Sequence, residues 1–267
     1  MNDKILSPYS DPARHAATTD IIKRLSANKI DIRNVALSRV NMASAHDVLD
    51  LGCGFGFMSE MIASMAGKDT RITGVDAREE NRQAFIKTVS EHGSVGLFEN
   101  FTIDKELPYI NESFDLIVCT YSLYFFSGII KEIARVLRQN GTFIAITHSK
   151  TSFKGLYEAA GLKEEKSILA GLIKQFSAEN GREKLSPYFA TIEKLDYSNS
   201  LHFESSHVDL LKEYIRFKLP LLREDAGNSG ELPADMEQKI ENSLSEKGKV
   251  IVEKHDAIFR CRGPVCQ

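Results

Sequence analysis

Two carboxylates and three closely spaced glycines are the residues of this chain whose types and spacing suggest chemistry. Asp50 stands two positions before Gly52, and Gly54 and Gly56 follow at alternate positions. Glycines at this spacing let the backbone adopt positive φ and let a ligand approach the main chain, because they carry no Cβ. A second acid, Asp76, lies 20 residues after Gly56. A carboxylate at the position of Asp50 suits the cationic amino group of a ligand, and one at the position of Asp76 can accept hydrogen bonds from the hydroxyls of a ribose.

The hydrophobic pattern predicts the elements that position these residues. Residues 47–51 form a short apolar run that indicates a buried strand, and apolar residues then recur at helical spacing from Phe57 to Met65. Strand, glycine turn and helix therefore follow in order, and the start of the helix offers unpaired N–H groups to a ligand in the turn. Residues 71–76 are predicted to form the next strand, with Asp76 at its end. This arrangement predicts a nucleotide-type pocket.

The spacing D-x-G-x-G-x-G resembles motif I of the class I S-adenosylmethionine (SAM) methyltransferases. Residues 107–119 (LPYINESFDLIVC) are similar to the fourth-strand signature of that family, and residues 133–146 (IARVLRQNGTFIAI) to its "RVLRPGG" helix–turn–strand. Dinucleotide-binding proteins share an acid like Asp76 but space their glycines as G-x-G-x-x-G. The chain is therefore identified as a member of the SAM methyltransferases, with an NAD-dependent oxidoreductase as a less favoured alternative.

The resemblance implies an α/β fold with a doubly wound, seven-stranded, mostly parallel sheet whose last strand is antiparallel. It also implies an N-terminal helical arm and a helical lid insertion over the substrate cavity. The predicted segments are the arm at 1–44, a SAM-binding Rossmann-like core at 45–150, the lid insertion at 151–188, and C-terminal strands and helices that complete the same sheet at 189–267.

The resemblance further implies which residues contact the cofactor. In the family, residues at the end of the third strand hold adenine, and the alternatives here are Asn100 with Phe101, or Asp104. An arm residue, Tyr9, could touch the ligand or could be an ordinary surface tyrosine. The other expected cofactor contacts are Asp50, Gly52, Cys53, Gly54, Gly56, Phe57, Asp76, Ala77 and Thr120.

Three side chains near the ends of the fourth and fifth strands are candidates for catalysis at the acceptor. His148 closes the predicted fifth strand, and the ordinary pKa of histidine suits a general base. The alternative role of His148 is that of a hydrogen-bonded structural residue. Tyr121 and Tyr124 are rival candidates, because ligands of open α/β sheets bind beyond the carboxyl ends of the strands. Methyl transfer needs chiefly a nucleophile held close to the methyl carbon, and a base only where the acceptor is protonated.

Composition narrows the choice of substrate and compartment. The 267 residues carry a net charge of −3 and are 42% hydrophobic, so the chain has no general attraction for nucleic acid. The fourth strand is followed by Thr-Tyr-Ser rather than the Asn/Asp-Pro-Pro-Tyr/Phe of DNA and protein amino-methyltransferases. No apolar run reaches the roughly 20 residues of a membrane span, and no secretory leader is evident. We expect a cytoplasmic monomer or homodimer without nucleic-acid or membrane partners.

The predicted function is therefore methyl transfer from SAM to a small molecule by in-line displacement, with S-adenosylhomocysteine (SAH) as the product. A non-catalytic SAM-binding regulator is the main alternative, against which the lid insertion and His148 argue. No metal site is predicted. Cys261 and Cys266, which follow the last predicted strand at 249–260, could form a metal or redox pair. Two free thiols on a C-terminal tail are the favoured reading, because no CxxC motif or nearby histidine completes a set.

Overall fold

The structure, a computed structural model, describes residues 6–223 and 231–265. Seven strands form one sheet in this part of the chain: β1 (Asp47–Leu51), β2 (Arg71–Asp76), β3 (Val95–Asn100), β4 (Phe114–Thr120), β5 (Leu137–His148), β6 (Phe189–Glu204) and β7 (Lys249–Pro264). Their order across the sheet is β3-β2-β1-β4-β5-β7-β6. Strand β7 is antiparallel to both of its neighbours, and the other strands run in one direction. The predicted sheet is confirmed.

The helices lie between and around these strands. In chain order they are α1 (Pro12–Leu25), α2 (Ile32–Leu37), α3 (Phe57–Met65), α4 (Arg82–Ser90), α5 (Ile130–Val136), α6 (Lys154–Ala160), α7 (Ile168–Gln175), α8 (Gly181–Leu185), α9 (Val208–Leu222) and α10 (Ala234–Lys247).

The central strands are largely apolar because both faces of the sheet are covered. Alternate residues of β1 pack into separate cores: Leu49 and Leu51 lie in one with Phe143, and Val48 lies in another with Met58. This double burial fixes the register of β1 between its neighbours, since a shift by one residue would exchange the two faces. The carboxyl ends of β1, β2, β4 and β5 therefore meet reliably at one edge of the sheet.

The antiparallel strand β7 brings additional residues to this same edge. His148, the last residue of β5, pairs in register with Asp256 of β7. Because β7 runs in the opposite direction, residues that precede Asp256 in the chain, including Lys254, extend beyond the carboxyl end of β5. The sheet edge thus gathers side chains from sequence positions about 200 residues apart.

The N-terminal arm is anchored on the C-terminal part of the chain. Helix α1 packs against α9 and β6. The N–H of Ala27 donates to the carbonyl of Ser200 at 2.8 Å, and the hydroxyl of Tyr197 donates to the carbonyl of Ile30 at 2.6 Å. These contacts hold the arm beside the carboxyl edge of the sheet.

Cys261 does not lie on a C-terminal tail, so that part of the prediction is wrong. Strand β7 continues to Pro264, four residues further than predicted, and Cys261 is fully buried within it. The strand continues because it pairs on both sides, with β5 and with β6. Cys261 is a free cysteine, and Cys266 lies outside the described residues.

Candidate active site

The glycine turn between β1 and α3 is held by backbone hydrogen bonds to the neighbouring strand. The N–H groups of Gly52 and Cys53 donate to the carbonyl of Val75 at 2.8 and 3.1 Å. All three glycines of the turn have positive φ, with values of 73°, 51° and 99°, a region that favours glycine. A Cβ on Gly52 would lie 2.5 Å from the Cβ of Ser122. The turn is therefore closely packed against the loop after β4.

Asp50 is buried at the end of β1. Its Oδ2 accepts a hydrogen bond from the hydroxyl of Ser59 at 2.7 Å, and its Oδ1 accepts none from the described part of the chain. Burial raises the pKa of Asp50 to about 7, although the Ser59 hydrogen bond opposes the shift. A cationic ligand group beside Asp50 would favour the ionised form, because opposite charges lower the pKa of a carboxyl.

Asp76 links the end of β2 to the glycine turn. Its Oδ2 accepts from the N–H of Gly54 at 2.8 Å, and its Oδ1 accepts from the N–H of Arg78 at 2.9 Å and from the amide of Asn81 at 3.3 Å. Burial raises the pKa of Asp76, and these hydrogen bonds oppose the shift. Since a carboxylate can accept about four hydrogen bonds, Asp76 keeps acceptor capacity for a ligand hydroxyl.

A cavity of about 480 Å³ opens beyond these strand ends, within the range of about 300–1,000 Å³ that is typical of small-molecule sites. The predicted site residues that line it are Tyr9, Asp50, Gly52, Cys53, Gly54, Phe57, Asp76, Ala77, Phe101, Thr120, Tyr121, Tyr124 and His148. Gly56, Asn100 and Asp104 do not line it. The structure therefore brings most of the predicted residues around one space.

Further walls of the cavity come from the N-terminal arm, from α9 and from strands β6 and β7. Arm residues from Leu6 to Arg33 contribute one side, and Phe217 and Lys218 of α9 contribute the other. The segment predicted as a lid, 151–188, is helical, but within the described residues it supplies none of the side chains that line this cavity. Its helix α7 packs instead behind the turn Leu123–Phe125. The arm and α9 take the covering position that we predicted for the insertion.

At the end of β3, the two alternatives for holding adenine occupy different positions. The amide of Asn100 donates to the backbone carbonyl of Asp76 at 3.0 Å, so Asn100 supports the end of β2 from outside the cavity. Asp104 is exposed. Phe101 and Ile103 are the residues of this segment that line the cavity. This region therefore offers an apolar surface to a planar ring.

His148 is held by Asp256 in a buried cluster at the end of β5. The Nδ1 of His148 lies 2.6 Å from Oδ1 of Asp256, and the hydroxyl of Tyr121 donates to Oδ2 of Asp256 at 2.7 Å. The imidazole stacks on the ring of Tyr121 at 4.5 Å and meets the edge of Phe153 at 4.7 Å. Because a carboxylate only accepts, Nδ1 carries the proton and Nε2 is the accepting nitrogen. Nε2 makes no hydrogen bond to the described part of the chain.

The pKa of His148 differs from the ordinary value that we assumed from the sequence. Burial lowers it to about 4, although the charge of Asp256 opposes the shift. The imidazole is therefore neutral near pH 7 and can accept a proton, but it is a weaker base than a solvent-exposed histidine. Tyr121 adopts φ of 56° in the same cluster. A tyrosine is rarely found there, and such strain is concentrated at functional sites.

Two lysines complete the cluster, and the sequence analysis missed both of them together with Asp256. Lys254 Nζ lies 3.8 Å from Oδ2 of Asp256, and burial lowers the pKa of Lys218 to about 7. Each side chain is less than a tenth exposed. The sequence did contain a sign of these residues, because Lys218 lies in the largely apolar run 214–222 and Lys254 and Asp256 lie between the apolar residues of run 250–261. Neither run reveals which cavity its charges face until the strand order is known.

We expect Lys218→Met to stabilise the protein below neutral pH by on the order of 3 kcal/mol, because it removes a buried charge. The pKa of Lys218 falls from 10.5 to about 7 on folding, so the unfolded chain binds more protons between these values and stability rises with pH across that window. The variant should lose this rise. Urea unfolding across the window measures it, and Lys239→Met, whose side chain is 51% exposed, serves as the control. Equal slopes for wild type and Lys218→Met would contradict the prediction.

Among residues 6–223 and 231–265, no helix has the length and the apolar composition that a membrane crossing requires.

Comparison with known proteins matches part of the chain to a family. Residues 49–145 match a family model described as a methyltransferase domain. The uncharacterized methyltransferase YcgJ of Bacillus subtilis is 33% identical over 107 residues, which are 39% of this chain and 41% of YcgJ. The uncharacterized methyltransferase C70.08c of Schizosaccharomyces pombe is 26% identical over 190 residues, 67% of this chain and 66% of that protein. The matched segments thus span less than two thirds of either relative.

Solved structures share the fold. The crystal structure of YcgJ has a TM-score of 0.55 at 18% identity, and the match covers 86% of this chain and 97% of the YcgJ chain. The crystal structure of the [4+2]-cyclase SpnF has a TM-score of 0.54 at 19% identity, and the match covers 88% of this chain and 80% of the SpnF chain. Because a protein named as a cyclase has this fold, the fold alone does not fix the reaction. The domain match, the strand order and the acid–glycine turn agree, however, and residues 49–145 of the chain form a methyltransferase domain.

Proposed function

We propose that this protein transfers a methyl group from SAM to a small-molecule acceptor. The observation that carries the proposal is that a single cavity joins the glycine turn and its two carboxylates to the His148 cluster. A cofactor over β1 and β2 and an acceptor over β4, β5 and β7 would meet inside it. The cavity volume of about 480 Å³ and the net charge of −3 favour a small acceptor over a nucleic acid.

The hydrogen bonds of the glycine turn favour SAM over a dinucleotide. A pyrophosphate needs free backbone N–H groups at the turn. Here the N–H groups of Gly52 and Cys53 are used by the carbonyl of Val75, and that of Gly54 is used by Asp76. The nearby carboxylate of Asp50 would also repel phosphate. Both features suit a ligand that has a cationic tail and no phosphate.

The residues around the turn fit the parts of SAM. Asp50 would hold the amino group of the methionine tail, Asp76 the ribose, and Ala77 with Phe101 the adenine. Two further polar atoms in the cavity wall, Oγ1 of Thr120 and Nδ1 of His15, are buried without a hydrogen-bond partner in the described part of the chain. Buried polar atoms are normally paired, so these two are suited to a ligand.

When bound, SAM supplies an electrophilic methyl carbon, and the electron pair of its carbon–sulfur bond leaves with the sulfur of SAH. The protein contributes chiefly by holding the acceptor in line with that bond, and positioning of this kind lowers barriers by roughly 7–11 kcal/mol. Tyr121 and Tyr124 form aromatic walls on the acceptor side. Where the acceptor carries a proton, Nε2 of His148 can accept it, and Asp256 stabilises the resulting positive charge.

Incubation with methyl-labelled SAM and a small-molecule extract of the source organism tests this function. We expect label in a small molecule and the formation of an equal amount of SAH. Asp76→Asn, which weakens the predicted ribose contact, should reduce both products together. Binding of SAM without label transfer to any component would instead identify a non-catalytic SAM-binding protein, and would contradict the proposed function.

A further inference from the structure

Two buried ammonium groups lie on the acceptor side of the cavity. Lys218 of α9 and Lys254 of β7 are 9% and 6% exposed. Their Nζ atoms lie 5.1 and 5.6 Å from the centre of the Phe153 ring. Tyr214 lies beside Lys218 at 5.5 Å, and Tyr121 lies beside Lys254 at 5.1 Å. The aromatic rings hold both groups in place but supply no negative charge.

The positive charge of this cluster is not balanced within the described residues. Asp256 is the carboxylate that lies close, 3.8 Å from Nζ of Lys254, and it also accepts from His148 and Tyr121. Lys218 forms no ion pair or hydrogen bond with residues 6–223 or 231–265. Buried charges in proteins are usually paired, because desolvation of an isolated charge is strongly unfavourable. Both lysines line the cavity, so a ligand can reach their ammonium groups.

We propose that Lys218 and Lys254 bind the anionic group of the methyl acceptor, which is therefore a small organic acid. This inference rests on the proposed function, since it names the class of the acceptor. Aromatic side chains line the same cavity, among them Tyr121, Tyr124 and Phe125, and Tyr121 lies directly beside Lys254. An acid with a compact apolar or aromatic body fits such walls, because the body packs on the rings while the charge meets the ammonium groups.

The lysines lie away from the expected binding site of the cofactor. Asp76 ends β2, and β1, β4 and β5 follow before β7 in the strand order. Neighbouring strands are about 4.8 Å apart, so β5 lies roughly 14 Å from the ribose side and β7 lies further still. The methionine tail meets Asp50 between these points. Lys254 therefore lies far from the ribose side of the cavity, and Lys218 lies near Lys254, beside the same Phe153 ring. This is the part of the cavity that we assign to the acceptor.

The chemistry of the cluster agrees with an acidic acceptor. Two nearby positive charges favour the ionised form of a bound acid. His148, whose pKa burial lowers, is suited to an acceptor that gives up its proton readily. When the anion is bound, it also supplies the counter-charge that Lys218 lacks.

Calorimetric titration of the SAH-saturated protein with benzoate, a planar aromatic carboxylate, tests the inference, with benzamide as the uncharged analogue. We expect millimolar or tighter binding of benzoate and at least about tenfold weaker binding of benzamide, equivalent to about 1.4 kcal/mol. Lys218→Met and Lys254→Met should each abolish this preference. Lys23→Met is the matched control, because Lys23 lines the same cavity but is exposed, and it should retain the preference.

Any of three results with benzoate would overturn the inference: no binding, an equal affinity for benzamide, or an unchanged preference in Lys218→Met or Lys254→Met. SAH affinity, measured separately for each variant, distinguishes the two proposals. Wild-type protein that fails to bind SAH would contradict the proposed function, whatever the result with benzoate. A large loss of SAH affinity in Lys218→Met would mean that the lysines hold the carboxylate of the cofactor, and would also overturn the inference.

Discussion

Gly52→Ala is expected to weaken SAH binding by at least about tenfold and to destabilise the protein by on the order of 3 kcal/mol. The added Cβ would lie 2.5 Å from Cβ and 2.7 Å from Oγ of Ser122. Ser122 cannot easily move away, because its hydroxyl donates to the carbonyl of Leu51 at 2.7 Å. The φ of 73° at Gly52 adds strain for any residue with a Cβ. Titration with SAH and urea unfolding measure the two effects.

Gly67→Ala is the control for this prediction. A Cβ on Gly67 would meet no heavy atom within 4 Å, so we expect a change in stability below about 0.5 kcal/mol and unchanged SAH affinity. If Gly52→Ala bound SAH as tightly as the wild type, the glycine turn would not be the seat of the cofactor.

Asp256→Asn is expected to lower the rate of methyl transfer to an acceptor that must lose a proton by about 10²–10⁴-fold. The asparagine amide has a single acceptor oxygen, so His148 or Tyr121 loses its partner, and the tautomer of His148 is no longer fixed. Lys254 and Lys218 also lose the nearby negative charge. Breaking a buried pair of this kind typically destabilises by about 3–5 kcal/mol. Turnover with the acceptor from the labelling experiment, together with urea unfolding, measures both losses.

The pH dependence of stability provides a second readout for Asp256. Its pKa falls from an ordinary 3.8 to about 2 in the folded protein, because the charge of Lys254 and the hydrogen bonds of His148 and Tyr121 outweigh the effect of burial. The carboxylate therefore adds about 2 kcal/mol of stability above pH 4, which is lost as pH falls toward 2. The gap between wild type and Asp256→Asn should narrow across this range. Asp196→Asn, with a side chain that is 74% exposed, should show no such change, and a constant gap for Asp256→Asn would contradict the account.

The parts of the site that depend on local sequence could be predicted. A strand that ends in an acid, a turn built from glycine and a helix with an apolar face each leave a pattern within about ten residues. Asp50, Gly52 and Asp76 therefore follow from the sequence, as does the place of His148 at the end of its strand. Parallel strands with helical connections then bring these ends to one edge.

The parts that depend on distant packing could not be predicted. Asp256 reaches His148 because β7 inserts between β5 and β6 in the antiparallel direction, and no local pattern specifies that register. Lys218 reaches the cavity because α9 packs beside α1. The cavity is covered by the arm and by α9 rather than by the segment 151–188 for the same reason. Burial, which decides the pKa of His148, likewise arises from these long-range contacts.

We propose that the acid–glycine turn and Asp76 form the binding site for SAM. Calorimetric titration of the wild-type protein with SAH and, separately, with NAD tests it most directly. The account predicts saturable one-to-one binding of SAH and at least about tenfold weaker binding of NAD, a difference of about 1.4 kcal/mol or more. Tighter binding of NAD, or no binding of SAH by the folded protein, would contradict it.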